Sequence, residues 1–348
     1  MAEMAKYEFD DTNFYPNEMY VEGDRLIVIG STYADYTASG LPIYRGSSRT
    51  KVYVLNVADK QNIQKERTIE VDGYSISSRK IGSKIYLVVN NSPNYYDIQP
   101  LLEKSASEVG KQLIPHVYDS KTGEDTPVSG CADVHFIPKY DTMNFVVVAG
   151  FDVSDPNSTL EKQTIMGAGS TVYASLESLY IAETRYDTPE LQRFDVFAPP
   201  QSSNEKTLVY RFGLNEGTIT YKGQGEVKGH LLNQFAMDES GSTFRLATTL
   251  GEVWNSRTPS KNYLFVLDKD NLGTVLGKIE DIAPGEKIYS VRFLGKRAYM
   301  VTFKKIDPFF VIGLDDPANP QILGALKIPG YSDYLHPFDE NHIIGFGK

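Results

Sequence analysis

The chain has 348 residues, 41% of them hydrophobic and 23% charged, with a formal net charge of −10 and a single cysteine. An acidic balance without a Lys/Arg run argues against a nucleic-acid partner, because phosphate-backbone binding shows as a basic patch or stripe. No window approaches the roughly 18 consecutive apolar residues of a membrane helix, and lone Cys131 excludes an internal disulfide framework without deciding the compartment.

The opening MAEMAKYEFDD lacks a charged region followed by an apolar one, so no signal peptide is read in it, and AKYEF reads as a lone strand. EMYVEGDRLIVIG is then a pair of strands, A and B. KVYVLNVADKQNIQKERTIEVDG (Lys51 to Gly73) is a second pair, C and D, joined by an Asp-bearing turn and closed by Gly. Alternating apolar and polar positions, β-branched and aromatic residues, and Gly, Asn, Asp and Ser turns are the strand and hairpin signals used.

The plan recurs along the chain. Further A–B pairs are SISSRKIGSKIYLVVN, TVYASLESLYIAE, NQFAMDESGSTFRLATT and YSVRFLGKRAYMVTF. The matching C–D pairs run over Asn144 to Gly167, Thr207 to Gly229, Asn262 to Gly285 and Val311 to Gly330. YSDYLHPFDENHIIGFGK supplies strands A and B of a sixth unit. Four-stranded antiparallel units about 47 residues or more apart read as blades of a β-propeller. A row of β-sandwiches would need about 100 residues per unit and linkers between units, and no linkers are seen. The expectation is an all-β chain forming one domain over 1–348, with five complete blades and a partial sixth. Its parent ring would hold about seven or eight blades.

GHLLNQFAMDE with FRLATT, and above all the block from Tyr289 to Gly347, resemble bacterial and archaeal secreted proteins that carry a β-propeller domain distantly related to WD-type repeats. The resemblance implies an extracytoplasmic, often membrane-anchored cell-envelope protein with an export signal and further blades. It brings no catalytic residue with it.

The long departures from the repeat all fall between strands B and C: Thr32 to Arg49, the stretch 92–139, Glu183 to Lys206, and Leu250 to Ser260. They are expected to crowd one face. The second is expected to contain a short helix that packs like a lid, with Ile98, Leu101, Leu102 and Val109 at helical spacing, Asp97 as cap and Gly110 ending the run. Tyr33, Tyr36, Tyr44, Tyr186 and Trp254 in or beside these loops form a candidate interaction face, since large amphipathic rings on small-residue loops suit binding surfaces. The competing reading is that the rings only seal the loops.

Crossings from strand D to the next strand A begin at Gly73, Gly169, Gly229, Gly285 and Gly330. Polar residues early in the A strands, namely Ser77, Arg79, Tyr173, Asn233, Ser290, Arg292, Tyr334 and His336, are expected to line the mouth of the central channel. There they would hold an anionic or sugar-like ligand, with Arg79 and Arg292 as planar donors. Alternatively they hydrate the channel and satisfy strand ends.

Catalytic motifs are thin. DKDNLG (Asp268 to Gly273) starts like an EF-hand loop, but Leu272 and Ile279 stand where oxygen ligands belong, so it reads as a turn. Asp315 and Asp316 are read as accepting hydrogen bonds within their own turn. The five histidines make no HxH or HExxH pair, GxSxG is absent, and Cys131 reads as a small packed residue. The function expected is a binding module for a protein, peptide or glycan. The alternative is a hydrolase or lyase acting on anionic sugars. No cofactor is expected beyond a possible structural calcium ion.

Overall fold

A computed structural model describes residues 4–33, 48–93, 103–136, 143–155, 157–186, 205–215, 217–254, 259–303, 307–328, 330, 332–339 and 342–348. The chain divides into two compact units, residues 1–169 with 213–220, and 170–212 with 221–348.

In the first unit, β1 (Phe14–Glu22), β2 (Arg25–Tyr33), β3 (Ser48–Asn56) and β4 (Gln64–Asp72) form blade 1. Blade 2 is built from β5 (Tyr74–Ile81), β6 (Lys84–Asn91), β9 (Phe145–Asp152) and β10 (Glu161–Met166), in the order β10-β9-β6-β5. Helix α1 (Ala106–Leu113), β7 (His116–Asp119) and β8 (Glu124–Pro127) lie between its strands B and C.

Blade 3, which apart from residues 213–220 belongs to the second unit, runs β11 (Thr171–Ala174), β12 (Ser178–Tyr186), β13 (Glu205–Asn215), β14 (Thr218–Lys228). Blade 4 follows as β15 (Met237–Ser240), β16 (Thr243–Leu250), β17 (Lys261–Asp268), β18 (Val275–Ile282). Blade 5 is β19 (Lys287–Leu294), β20 (Arg297–Phe303), β21 (Asp307–Gly313), β22 (Gln321–Ile328), and β23 (Ser332–Pro337) with β24 (Ile343–Gly347) begins a sixth. The four-stranded units read from the sequence are therefore the observed sheets.

Burial explains why the middle strands look unlike the outer ones. Strands B and C, such as β6, β9 and β16, are buried along almost their whole length, on both faces. Outer β18 alternates and stays largely exposed. Within each unit, neighbouring sheets pack face to face and cover B and C strands. Ile27, Val52 and Ile69 of blade 1 share a core with Ile85, Leu87 and Val147 of blade 2. Ala247, Leu264 and Val266 of blade 4 share another with Val291, Phe293 and Met300 of blade 5. Blades 3 and 4 meet at Tyr180 and Phe244, whose rings stack at 4.0 Å with 10° between their planes.

Three local expectations are corrected. Ala5 to Phe9 form no strand. Tyr7 and Phe9 instead pack on Phe14, Val28 and Tyr53, covering the face of blade 1 turned away from blade 2. The described helix begins eight residues beyond the expected start, more than two turns on: Ser105 caps it, accepting from Glu108 N while Glu108 returns a carboxylate to Ser105 N, and Gly110 lies inside it. A Cβ at Gly110 would overlap Cys131 Sγ as it is placed. Cys131 itself is exposed, on a short 3-10 turn. Asp97, Ile98, Leu101 and Leu102 lie outside the described residues.

The third correction concerns the insertion as a whole. Beyond the short helix it contains a hairpin, β7–β8, that the residue pattern does not announce. It extends blade 1, with β7 pairing antiparallel to β4 through Ile69↔Asp119 and Val71↔Val117. An outer strand otherwise presents unpaired N–H and C=O groups, and the hairpin satisfies that row.

Candidate functional site

The second unit brings five of the eight predicted channel-mouth residues into one cluster. Strand β19 packs on β23 and on the 3-10 turn Gln234–Ala236 that precedes β15, so the first strands of blades 4, 5 and 6 converge. Arg292 on β19 lies over the Phe235 ring, 4.3 Å from its centroid, and donates from Nη2 to the Tyr334 hydroxyl at 3.0 Å. The Tyr334 oxygen is also 3.2 Å from His336 Nδ1. Arg292 Nε is buried with no hydrogen-bond partner. Ser290 and Asn233 flank the cluster, with Ser290 Oγ donating to Ser332 O at 2.6 Å and Asn233 Oδ1 accepting from Phe235 N at 2.9 Å.

The remaining three residues do other work. The Tyr173 hydroxyl accepts from Glu239 N at 3.0 Å, beside the Tyr180–Phe244 stack. In the first unit, Arg79 donates to Ser77 Oγ and, at 2.7 Å, to Ser78 O.

The expectation that these residues lie early in their strands is also corrected. Arg79 and Arg292 are each the sixth of eight strand residues, paired across to Tyr86 and Tyr299. They stand near the A–B turns because several extended residues follow each glycine crossing before the polar position is reached.

At the opposite, B–C end of the second unit is a group the sequence did not single out. Glu205, buried at the start of β13, accepts from His230 Nδ1 at 2.9 Å and from Gly251 N at 3.2 Å, and Tyr186 also reaches it. Burial alone would raise the Glu205 carboxyl, but the hydrogen bonds from His230, Gly251 N and Tyr186 outweigh it and hold the group below its ordinary range. His230 is placed by backbone bonds to Thr249 in both directions. Tyr186, which reaches Glu205, is 71% exposed, and Trp254, three residues beyond Gly251 in the chain, is 85% exposed. Tyr33, in the first unit, is also exposed and meets Tyr15 edge-on at 5.9 Å. Tyr36 and Tyr44 lie outside the described residues. The signal that points to the Glu205 group is one charged residue opening a strand after a polar loop, with a histidine immediately beyond a crossing glycine.

Both acidic turns serve their own backbone. Asp268 Oδ1 accepts from Asp270 N and Asn271 N, and Asp316 Oδ1 accepts from Ala318 N. Among the described residues no three His, Cys, Asp or Glu side chains converge as a metal site, and no helix is long and apolar enough to cross a membrane.

Residues 1–348 match the family described as "Beta propeller domain". The chain belongs to that family. Two archaeal relatives are similar, both uncharacterised. One, from Archaeoglobus fulgidus, is 29% identical over 85% of this propeller chain and 54% of its own length. The other, from Methanocaldococcus jannaschii, is 52% identical over 36% of this chain and 20% of its own length. The chain thus spans about half or less of these relatives. Among solved structures, a Synechocystis apocarotenoid oxygenase mutant is 9% identical over 93% of this chain and 61% of its own, with a TM-score of 0.42. Pyrococcus horikoshii acylaminoacyl peptidase is 9% identical over 89% and 39%, with a TM-score of 0.40. These distant likenesses carry no argument about activity.

Proposed function

We propose that this propeller is an extracytoplasmic binding module that engages a protein, peptide or glycan through the B–C loop end of its blades. The observation that carries the reading is the exposed Tyr186 ring at the ordered Glu205–His230 pair, with exposed Trp254 on the loop that follows Gly251. Exposed aromatic area next to a fixed carboxylate offers stacking together with hydrogen bonding, the combination that recognition surfaces favour. The test is binding to panels of neutral and acidic glycans and of envelope proteins by the chain and by its Tyr186→Ala/Trp254→Ala variant. Loss of the captured ligand supports the reading; unchanged binding overturns it.

The channel-mouth cluster favours a second reading, catalysis on an anionic sugar. Arg292 would neutralise the carboxylate while the Tyr334–His336 pair moves a proton. Turnover of an acidic polysaccharide that Arg292→Ala leaves untouched rejects this site.

The partial sixth sheet is proposed to be completed by two further strands in a longer ring. Gly277 on β18 is where a Cβ would overlap the Pro317 carbonyl of the neighbouring blade 5, whereas Gly324, its counterpart on β22, faces open space. Leu323 and Leu326 on the same strand are exposed. A C–D hairpin of a completed sixth blade would fill that space as blade 5 fills it for blade 4.

A further inference from the structure

The β7–β8 hairpin and the turn between β9 and β10 line a cleft of about 420 Å³ within the first unit. Its size falls in the usual range for a small-molecule pocket, from about 300 Å³ upward. Three cations line it, Arg67, Lys121 and Lys162, together with the carboxylates Asp119 and Glu124.

These charges are not evenly matched. Asp119 is held by Arg67, Nε to Oδ1 at 3.0 Å and Nη2 to Oδ2 at 2.6 Å, and Arg67 Nη1 takes Ser158 Oγ at 3.3 Å. Lys121 Nζ donates to a carbonyl, Ser158 O at 3.3 Å, and forms no ion pair among the described residues. Lys162, half-buried on β10, has no hydrogen bond and no ion pair among the described residues. The Thr126 hydroxyl and the Asn157 side-chain amide also line the cleft, without hydrogen-bond partners among the described residues. Burial lowers the Lys162 ammonium, only partly offset by the charges of Asp119 and Glu161. A half-buried cation without a partner is costly unless something pairs with it.

We propose that this cleft binds the phosphate group of a small phosphate ester, with Lys162 and Lys121 supplying charge and Thr126 and Asn157 supplying neutral hydrogen bonds. A tetrahedral oxyanion fits better than a carboxylate. The one planar donor fork present, on Arg67, is already filled by Asp119, whereas ammonium groups act as point charges indifferent to planarity. The volume left around a phosphate accommodates the ester's alcohol, against Val117 and Leu160.

The test is calorimetric titration of the 348-residue chain with inorganic phosphate, inorganic sulfate, a hexose 6-phosphate and glucuronate. Saturable binding of phosphate and tighter binding of the hexose phosphate are expected, with glucuronate much weaker. Lys162→Met should weaken phosphate binding by about tenfold or more, the loss of one charge-assisted hydrogen bond. Lys162→Arg should retain most of it, and Thr126→Val should weaken it less than Lys162→Met. Should Lys162→Met fail to fold, Lys162→Gln takes its place. Absence of saturable binding by phosphate, sulfate and hexose phosphate overturns the proposal. So does wild-type affinity in the Lys162 variants, or glucuronate binding as tightly as the phosphates.

Discussion

Arg67 on β4 and Asp119 on β7 form a bidentate pair, 2.6 and 3.0 Å between donor and acceptor atoms, with both side chains about nine-tenths buried. The guanidinium also lies over Phe151 of blade 2, 5.3 Å from the ring centroid. One ion pair therefore ties the inserted hairpin, the outer strand of blade 1 and the neighbouring blade together. Removing a single partner leaves a buried charge without its match. Asp119→Ala is expected to lower stability by about 3–5 kcal/mol, whereas the double change Arg67→Met/Asp119→Leu is expected to cost much less. Urea denaturation of both variants checks this; equal losses would show that packing rather than charge carries the contact.

The Tyr180–Phe244 stack predicts a different pattern. Phe244→Ala empties the contact between blades 3 and 4 and is expected to cost about 3–5 kcal/mol. Tyr180→Phe keeps the ring but removes the 2.7 Å bond from its hydroxyl to Glu239 Oε2, at a cost of about 1–3 kcal/mol. Denaturant midpoints of the two variants should rank in that order.

Glycines in the outer strands mark where one blade meets the next. A Cβ at Gly225 would overlap the Leu272 carbonyl of blade 4, and one at Gly277 the Pro317 carbonyl of blade 5; at Gly324 it would meet nothing. Gly277→Ala is expected to destabilise by about 1–3 kcal/mol through overpacking. Gly324→Ala should lie within about 0.5 kcal/mol of the parent. Thermal melts of the two variants give a direct contrast at matched positions.

Glu205 makes the stability of the second unit depend on pH. Its folded carboxyl is held below the ordinary value of 4.5 by His230 and its other donors, despite the opposing effect of burial. A depressed carboxylate contributes stability above its unfolded pKa and loses that contribution as pH falls through the folded one. Glu205→Gln should therefore destabilise near neutrality, with the difference from the parent shrinking as pH drops below about 4. Stability measured across that range tests the sign.

Blade composition was legible in the sequence because its signals are local. The plan of LDKDNLGTVLG, with its Asp-led turn, and of EGDRLIVIG, with its glycine turn, needs no knowledge of distant partners. The clustering of Asn233, Ser290, Arg292, Tyr334 and His336 followed from the repeat, since equivalent strands of successive blades converge. Arg79 was misplaced by half a strand, because the number of extended residues after a crossing glycine carries no local mark. The Glu205–His230 pair went unread because its members lie 25 residues apart and meet only when a crossing loop pairs with Thr249.

By itself the amino-acid sequence determined the strand alternation, the turns and the four-stranded repeat, all of which rest on side-chain period and backbone conformation within a few residues. Tertiary structure alone decided that β7–β8 would extend blade 1, that Tyr7 and Phe9 would cover its exposed face, and that Lys162 would stand without an ion pair among the described residues. Each of these depends on which free edge, apolar face or charge remains unmatched once the sheets have packed, and that surplus exists only in the assembled fold.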